Sequence, residues 1–437
     1  MSRLTPVEPD ALDLIHAKSR GRRLGFFVGA VVSVGPTPGR GVWLALTLRV
    51  RNFHIAAQCG RYHCVMQEAI DAITAQIQDA VAQERLLRIV GGGTKDFYGE
   101  PLQGETLSTA ALNGVIAYEP TELVITAGAG TPLSELQTLV QAQGQFFPFD
   151  PPCWGENTTL GGAVAAGLSG PGRASVGSVR DFVLGATMIN GRGESLVFGG
   201  QVMKNVAGYD VSRLLAGSMG TLGVITELSV KVLPVPLAER SVCLLGDQDD
   251  ALAQLLRWRA QPLPLDASAW FVDADGQARL WLRLRGAGVA VDAAMTQMLA
   301  DAALGQLTHD ASAAALDWNA VRDQKLAFFT PPNDDACLWR LSVPAATPAM
   351  TLGLPRMMEW HGAQRWFWAN TQEAHGLREW AQRVGGHATL FRCSQAHGEQ
   401  DKAVGVFSQL SAPLQAINSR LQAQFDPSGV FRTQRLG

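Results

Sequence analysis

Between Pro151 and Asp181 the chain reads PPCWGENTTLGGAVAAGLSGPGRASVGSVRD, with glycine at 155, 161, 162, 167, 170, 172 and 177. At that density glycine makes a poor core helix, because each residue loses much backbone freedom. What it permits is close approach of backbone N–H groups to a bulky anion, with no Cβ between them. Thr159-Leu160-Gly161-Gly162 runs into Ala163-Val164-Ala165-Ala166, which predicts a short helix with glycines at its mouth. A helix start of that kind is an anion site. A second cluster, Gly91-Gly92-Gly93-Thr94-Lys95-Asp96, follows an apolar run at 86–90. It is not a P-loop, since Lys95 follows Thr94 instead of preceding a Ser or Thr, and it is not a dinucleotide fingerprint, since Asp96 stands where the third glycine belongs. What remains is a strand-to-loop phosphate nest with Thr94 as a hydroxyl donor.

Other chemistry is thinner. The six cysteines are scattered without a CxxC pair, so neither an iron–sulfur cluster, a zinc site nor a disulfide framework is expected. They read as free thiols of a cytoplasmic protein. A net charge of −3 points away from nucleic acid.

The elements that must position the glycines can be read on either side. A chain of 437 residues calls for two or three domains. Residues 1–65 carry nine Lys/Arg against three Asp/Glu, and their two apolar runs are too short to span a bilayer. They read as an extension outside the fold, with Met66 the start of the folded chain; an intact mass beginning before Met66 would overturn this. Ile70, Ile73, Ile77 and Val81 then predict an amphipathic helix. Strands follow at 115–118 and 123–127, and a helix capped by Thr131, opened by Pro132 and stopped by Gly144. Asn190-Gly191-Arg192-Gly193 predicts a hairpin of 182–190 with 195–198. A strand at 224–232 meets the Gly217–Gly223 cluster, and Pro234 and Pro236 close the domain.

Taken in order, VGGGTKDFYG, AGAGTPLSELQ, NTTLGGAVAAGLSGPGR, GSVRDFVLGATMINGRGE and GSMGTLGVITELSVKVLP resemble the FAD-binding domain of the vanillyl-alcohol oxidase and p-cresol methylhydroxylase family. PFDPPCWGENTTLGG, KNVAGYDVSRLLAGSMGTLGVITE and the ending FDPSGVFRTQRL narrow the resemblance to the E-subunit family of bacterial glycolate oxidases, from Met66 to the C-terminus. One departure is Arg432-Thr433-Gln434-Arg435, where members often carry Asn-Pro-Gly-Arg. The resemblance implies an α+β fold: a two-subdomain FAD-binding domain over 66–236, then an antiparallel α+β cap over 237–437. It implies that Gly91, Gly92, Gly93 and Thr94 lie on the pyrophosphate, with Thr159, Gly161 and Gly162 opposite. Gly177, Arg180 and Asp181 would lie along the flavin or ribityl chain, and Gly223 and Ile225 would offer backbone groups. No histidine occurs between 64 and 308, so the usual tether is absent and FAD is expected to be non-covalent.

The same resemblance implies a complex that oxidises glycolate or a similar 2-hydroxy acid. A D-type flavoprotein and an iron–sulfur protein would be partners, in the cytoplasm or held at the inner membrane face through them. Such oxidation needs a cation for the carboxylate, a base for the hydroxyl proton and the flavin as hydride acceptor. Arg283, Arg365 and Arg392 are candidate cations; His375, His387 and His397 are candidate bases. The aromatic string Trp366-Phe367-Trp368 reads as core. Two alternatives stay open: a self-sufficient flavin oxidoreductase acting on a hydroxy acid or alcohol, and a flavin-binding scaffold without chemistry.

Overall fold

A computed structural model describes residues 65–200, 210–350 and 353–437. The segment 1–64, most of the expected extension, and 201–209, most of the KNVAGYD run, lie outside the described residues.

Helix α1 (residues 65–82) buries Met66, Ala69, Ile73, Ile77 and Ala80. Val81, expected on that face, is 38% exposed. Steps of four drift around a helix of 3.6 residues per turn, so after Ile73 and Ile77 the inward position falls at 80. Strands β1 (Leu87–Val90) and β2 (Glu105–Ser108) pair in parallel beside it. Leu87 and Leu107 share a core with Ile77 and with Val430 and Phe431 from the C-terminal turn.

The next layer is a five-stranded antiparallel sheet. Its strands are β3 (Val115–Glu119), β4 (Val124–Gly128), β6 (Val183–Ile189), β7 (Ser195–Gly199) and β8 (Val224–Lys231), in the order β3-β4-β8-β6-β7. Helices α2 (Leu133–Gln141) and α3 (Leu160–Ala166) pack Leu133, Leu136, Val140, Leu160 and Val164 into one core with it. A two-residue pair, β5 (Gln145–Phe146) with β9 (Leu233–Pro234), closes this half. Thr131 does not cap α2; Pro132 occupies that position. The Thr131 hydroxyl is fully buried, donating to Gly128 O at 2.7 Å and accepting from Gly114 N at 2.9 Å. Gly144, at φ +66°, does stop the helix. The short helices α4 (Arg173–Val176) and α5 (Val179–Phe182) carry the rest of the glycine run.

Beyond Pro236 the chain builds an eight-stranded antiparallel sheet. It contains β10 (Ala238–Leu245), β11 (Leu265–Val272), β12 (Ala278–Gly286), β13 (Thr308–His309), β14 (Cys337–Ser342), β15 (Arg356–Glu359), β16 (Gln364–Ala369) and β17 (His387–Arg392). The order is β13-β10-β12-β11-β15-β16-β14-β17. Helices α6 (Gln248–Arg259) and α7 (Gly288–Leu304) cover one face, over Leu280, Leu282 and Leu284. The opposite face carries Trp281, Trp366, Trp368 and Phe391, packed with Tyr98 and Leu168 of the first half. Both faces are therefore buried, which accounts for the tryptophan density. The aromatic string is core, with Trp368 Nε1 donating to Phe328 O at 2.7 Å. Helix α8 (Trp318–Arg322) reaches back to the glycine run, α9 (Ala374–Arg383) backs β14 and β17, and α10 (Ala412–Phe425) leads to the C-terminal turn.

Candidate functional site

A cleft opens between the turn after β1 and the N-terminus of α3. Gly91, Gly92, Gly93 and Thr94 line one side, Thr159, Gly161 and Gly162 the other, and Gly223 and Ile225 the start of β8. It holds about 980 Å³ of open space, solvent at its mouth included.

Close backbone contact explains the glycines. A Cβ on Gly92 would lie 1.5 Å from Asn157 O, and one on Gly161 would lie 2.8 Å from Ala129 O. Gly162 differs: its Cβ would meet only Thr159 Oγ1, at 3.0 Å. That same oxygen caps α3, accepting from Gly162 N at 3.2 Å. Across the cleft, Thr94 Oγ1 and Thr158 Oγ1 lie 3.1 Å apart. Lys95 Nζ is buried without a hydrogen-bond partner, 5.4 Å from the Trp154 ring centroid, and burial pushes its ammonium down to about 8. An orphaned cation beside a backbone nest and a capped helix start fits the anionic pyrophosphate of FAD.

Sequence reasoning missed the floor of this cleft. Thr433 and Arg435 line it, with Arg435 donating to the carbonyls of Asp96 and Glu100 and so holding the turn after β1. The signal was present in the ending FRTQR, where it was noted as a departure. Gly177, Arg180 and Asp181 are not brought to the cleft lining. The Asp181 carboxylate accepts from Ser178 N at 2.8 Å and from Ser178 Oγ at 2.9 Å in a capping box on α5, and Arg180 is exposed.

A smaller pocket, with about 330 Å³ of open space, lies between the cap sheet and the glycine run. Its walls include Leu168 to Pro171 on one side and Arg340, Glu359, Gln364, Trp366 and Phe391 on the other. Trp154 joins it to the cleft, since the ring that Lys95 covers also lines this pocket. Glu359 is fully buried. Its Oε2 accepts from Trp366 Nε1 at 2.5 Å and from Gln364 Nε2 at 3.0 Å, and burial pushes the carboxyl up to about 7 against both donors. Neither Arg340, in Cys337-Leu338-Trp339-Arg340-Leu341-Ser342, nor Glu359, in Arg356-Met357-Met358-Glu359, carried a signal in the sequence.

The sequence candidates for catalysis fall elsewhere. Arg283 is buried between Asp266 and Asp150, at 2.5 and 2.7 Å. Arg365 is fully buried and donates to the carbonyls of Thr347, Pro348 and Gly362. Arg392 lies among the rings of Phe97, Trp154 and Phe391, beside the pocket wall. His375 and His387 are exposed, and His397 sits 3.3 Å from Asp335 at the surface. Among the described residues the buried histidine is His361. Ser175 Oγ donates to Leu265 O, so its contact with His361 Nε2 at 3.0 Å assigns the proton to Nε2, and Nδ1 accepts from Ser268 Oγ at 3.0 Å.

An eight-stranded antiparallel cap sheet over a glycine-cradled cleft defines a FAD-binding α+β protein. Residues 63–199 match the family model described as FAD binding domain. The chain is 41% identical to glycolate oxidase subunit GlcE of Escherichia coli K12 over 365 residues, 84% of this chain and 96% of that protein. It is 33% identical to glycolate oxidase subunit GlcD of Bacillus subtilis 168 over 163 residues, 37% of this chain and 34% of that protein. Among solved structures, an alkyldihydroxyacetonephosphate synthase superposes with a TM-score of 0.59 at 17% identity, over 83% of this chain and 75% of that one, a likeness of fold. The chain belongs to the glycolate oxidase E-subunit family, and FAD is its cofactor.

Proposed function

We propose that this chain is the FAD-carrying subunit of a complex that oxidises glycolate to glyoxylate, working with a D-type flavoprotein and an iron–sulfur protein. The observation that carries the reading is the glycine-walled cleft with its unpaired Lys95, within a chain matched over 84% of its length by a glycolate oxidase subunit. Residues 66–236, joined by the C-terminal turn that carries Thr433 and Arg435, hold the flavin, and the cap sheet built beyond 237 covers it. Gly91, Gly92, Gly93, Thr94, Thr159 and Gly162 cradle the pyrophosphate, and Lys95 neutralises part of its charge. Bound there, FAD supplies a two-electron acceptor. Binding is non-covalent on this reading; among the described residues no histidine lines the cleft. Placement in the cytoplasm, with any membrane contact made through partners, accords with the lack of any described helix long and apolar enough to cross a membrane.

The test is flavin retention. Gly162→Val adds bulk where only Thr159 Oγ1 is near, so the variant should fold and yet purify without flavin. A yellow Gly162→Val protein with wild-type flavin content would place the pyrophosphate elsewhere. Co-purification of the tagged chain with a second flavoprotein and an iron–sulfur protein tests the complex; recovery of the chain alone from cells expressing all three would overturn that part.

A further inference from the structure

The pocket between the cap sheet and the glycine run contains three groups that the fold does not satisfy. Arg340 donates one hydrogen bond, to the neutral Tyr98 hydroxyl at 2.8 Å, and has no carboxylate within ion-pair distance among the described residues. Both donors to Glu359 converge on Oε2, and Oε1 has no hydrogen-bond partner among the described residues. The Gln324 side-chain oxygen is buried without a donor, and its backbone is held at φ +54°, a conformation non-glycine residues adopt only under constraint. All three residues line the same cavity. By contrast Arg322, also on the wall, is fully engaged with Asp323 through two hydrogen bonds at 2.8 and 2.7 Å. A guanidinium held only by one neutral hydroxyl and by the Tyr98 and Phe391 rings, an open carboxylate oxygen and an unpartnered amide oxygen in one aromatic-walled pocket are the complement of a small anion that also carries a hydroxyl. The cavity encloses about 330 Å³ of space, solvent at its mouth included. It also adjoins the cofactor cleft: Ala165 and Ala166 line the cleft, while Leu168 and Ser169, two residues on, line the pocket.

We propose that this pocket is a site for a small 2-hydroxymonocarboxylate, in which Arg340 binds the carboxylate and Glu359 takes the hydroxyl proton. This rests on the reading of the cleft as the FAD site. The O–H bond would break with its proton passing to Glu359, and the C–O bond would become C=O as the C2–H bond breaks; bound FAD would supply the two-electron acceptor for that hydride, so the hydroxy acid would lose the two electrons the flavin gains. The Glu359 carboxyl, raised by burial to about 7, is poised to accept a proton near neutral pH. On this account the chain has its own substrate site and is not a scaffold whose flavin is idle.

The experiment uses the purified, flavin-loaded chain and two probes. Oxalate, which has the carboxylate but no C–H bond to give up as hydride, is titrated by calorimetry and by the flavin spectrum. Glycolate and lactate are mixed anaerobically and the bleaching rate is followed. Wild type should bind oxalate and be bleached by one of the hydroxy acids. Arg340→Met should weaken oxalate at least about 10-fold, the loss expected for one bidentate partner. Glu359→Gln, which keeps shape and both donors' partner, should bind oxalate within about twofold of wild type while its bleaching slows about 100-fold or more. Glu359→Asp should recover part of that rate. Flavin-loaded wild type that neither binds oxalate nor bleaches would overturn the proposal while leaving the cleft reading intact. Equal oxalate affinity in Arg340→Met, or wild-type bleaching in Glu359→Gln, would also overturn it. A chain that retains no flavin would instead contradict the cleft reading itself.

Discussion

At the scale of single residues, two glycines with the same sequence signature do different work. Gly161 and Gly162 are adjacent, yet Gly161 is buried against Ala129, while Gly162 has open space beyond one threonine oxygen. Gly161→Val should therefore destabilise the fold by about 1–3 kcal/mol through overpacking at the α3–β4 contact, read as a fall in thermal midpoint. Gly162→Val should leave the midpoint of the flavin-free protein nearly unchanged. Equal midpoints for the two variants would dismiss this division of labour. His361 supplies a pH effect at the same scale. Burial, with Arg259 adding repulsion, pushes it down to about 4. The unfolded chain binds its proton from about pH 6.5, so between there and 4 the unfolded state holds more protons than the folded one. The contribution is thus present above pH 6.5 and is lost as pH falls, by about 3 kcal/mol in total. Asn tolerates the left-handed backbone at 361, φ +53°. The stability of wild type relative to His361→Asn should accordingly fall across that window in denaturant titrations; a constant difference would show that the imidazole titrates normally.

At the scale of elements, the sequence was legible where one residue type forces one conformation. The β6–β7 hairpin, the glycine stop after α2 and the glycine-mouthed α3 all follow from turn, cap and breaker residues. Strand β11 was invisible because seven of its eight residues are buried, which erases the period of two. The cleft's glycine walls were legible for the same reason as the hairpin. Arg340 and Glu359 were not, since their significance is the absence of a partner, and pairing is a property of the folded chain. The C-terminal turn is a case where position conceals importance. Asp426 is fully buried and accepts from Val430 N at 3.0 Å and from Phe431 N at 2.8 Å, setting both apolar residues into the core under α1 and placing Arg435 at the cleft. Asp426→Ala leaves two buried donors without a partner and should cost about 3 kcal/mol. Flavin should be lost along with it, as Arg435 no longer holds the turn after β1. Retention of both stability and flavin would show the turn to be dispensable.

At the scale of the molecule, the two sheets are joined through the glycine run, and the join is electrostatic as well as apolar. Asp150 precedes the run, Asp266 lies on β11, and Arg283 on β12 stands between them with hydrogen bonds to both. Asp150 also accepts from Gly172 N at 3.1 Å, so the arginine holds the cap sheet to the backbone of the run. Trp360 Nε1 adds a bond to Gly170 O at 3.0 Å, and Ser175 reaches Leu265 and His361. Arg283 was a sequence candidate for binding substrate, and its geometry gives it this other task. Removing it tests the join. Arg283→Met keeps the bulk of the stem but leaves two carboxylates facing each other in a buried site, which should cost about 3–5 kcal/mol near neutral pH. The sign of the pH dependence is specific. Burial already raises the Asp266 carboxyl, and loss of the Arg283 guanidinium removes the larger of the two attractions that oppose it, leaving Arg285 at 3.7 Å. In the variant the folded state then binds protons more readily than the unfolded chain, so the deficit is full above the raised carboxylate range and shrinks as pH falls through it. Thermal melts of wild type and Arg283→Met from pH 7.5 to 4.5 should converge. If the gap stays fixed, the contribution of Arg283 is packing against Trp318, 5.2 Å from its guanidinium, and the charged bridge does not hold the two halves together.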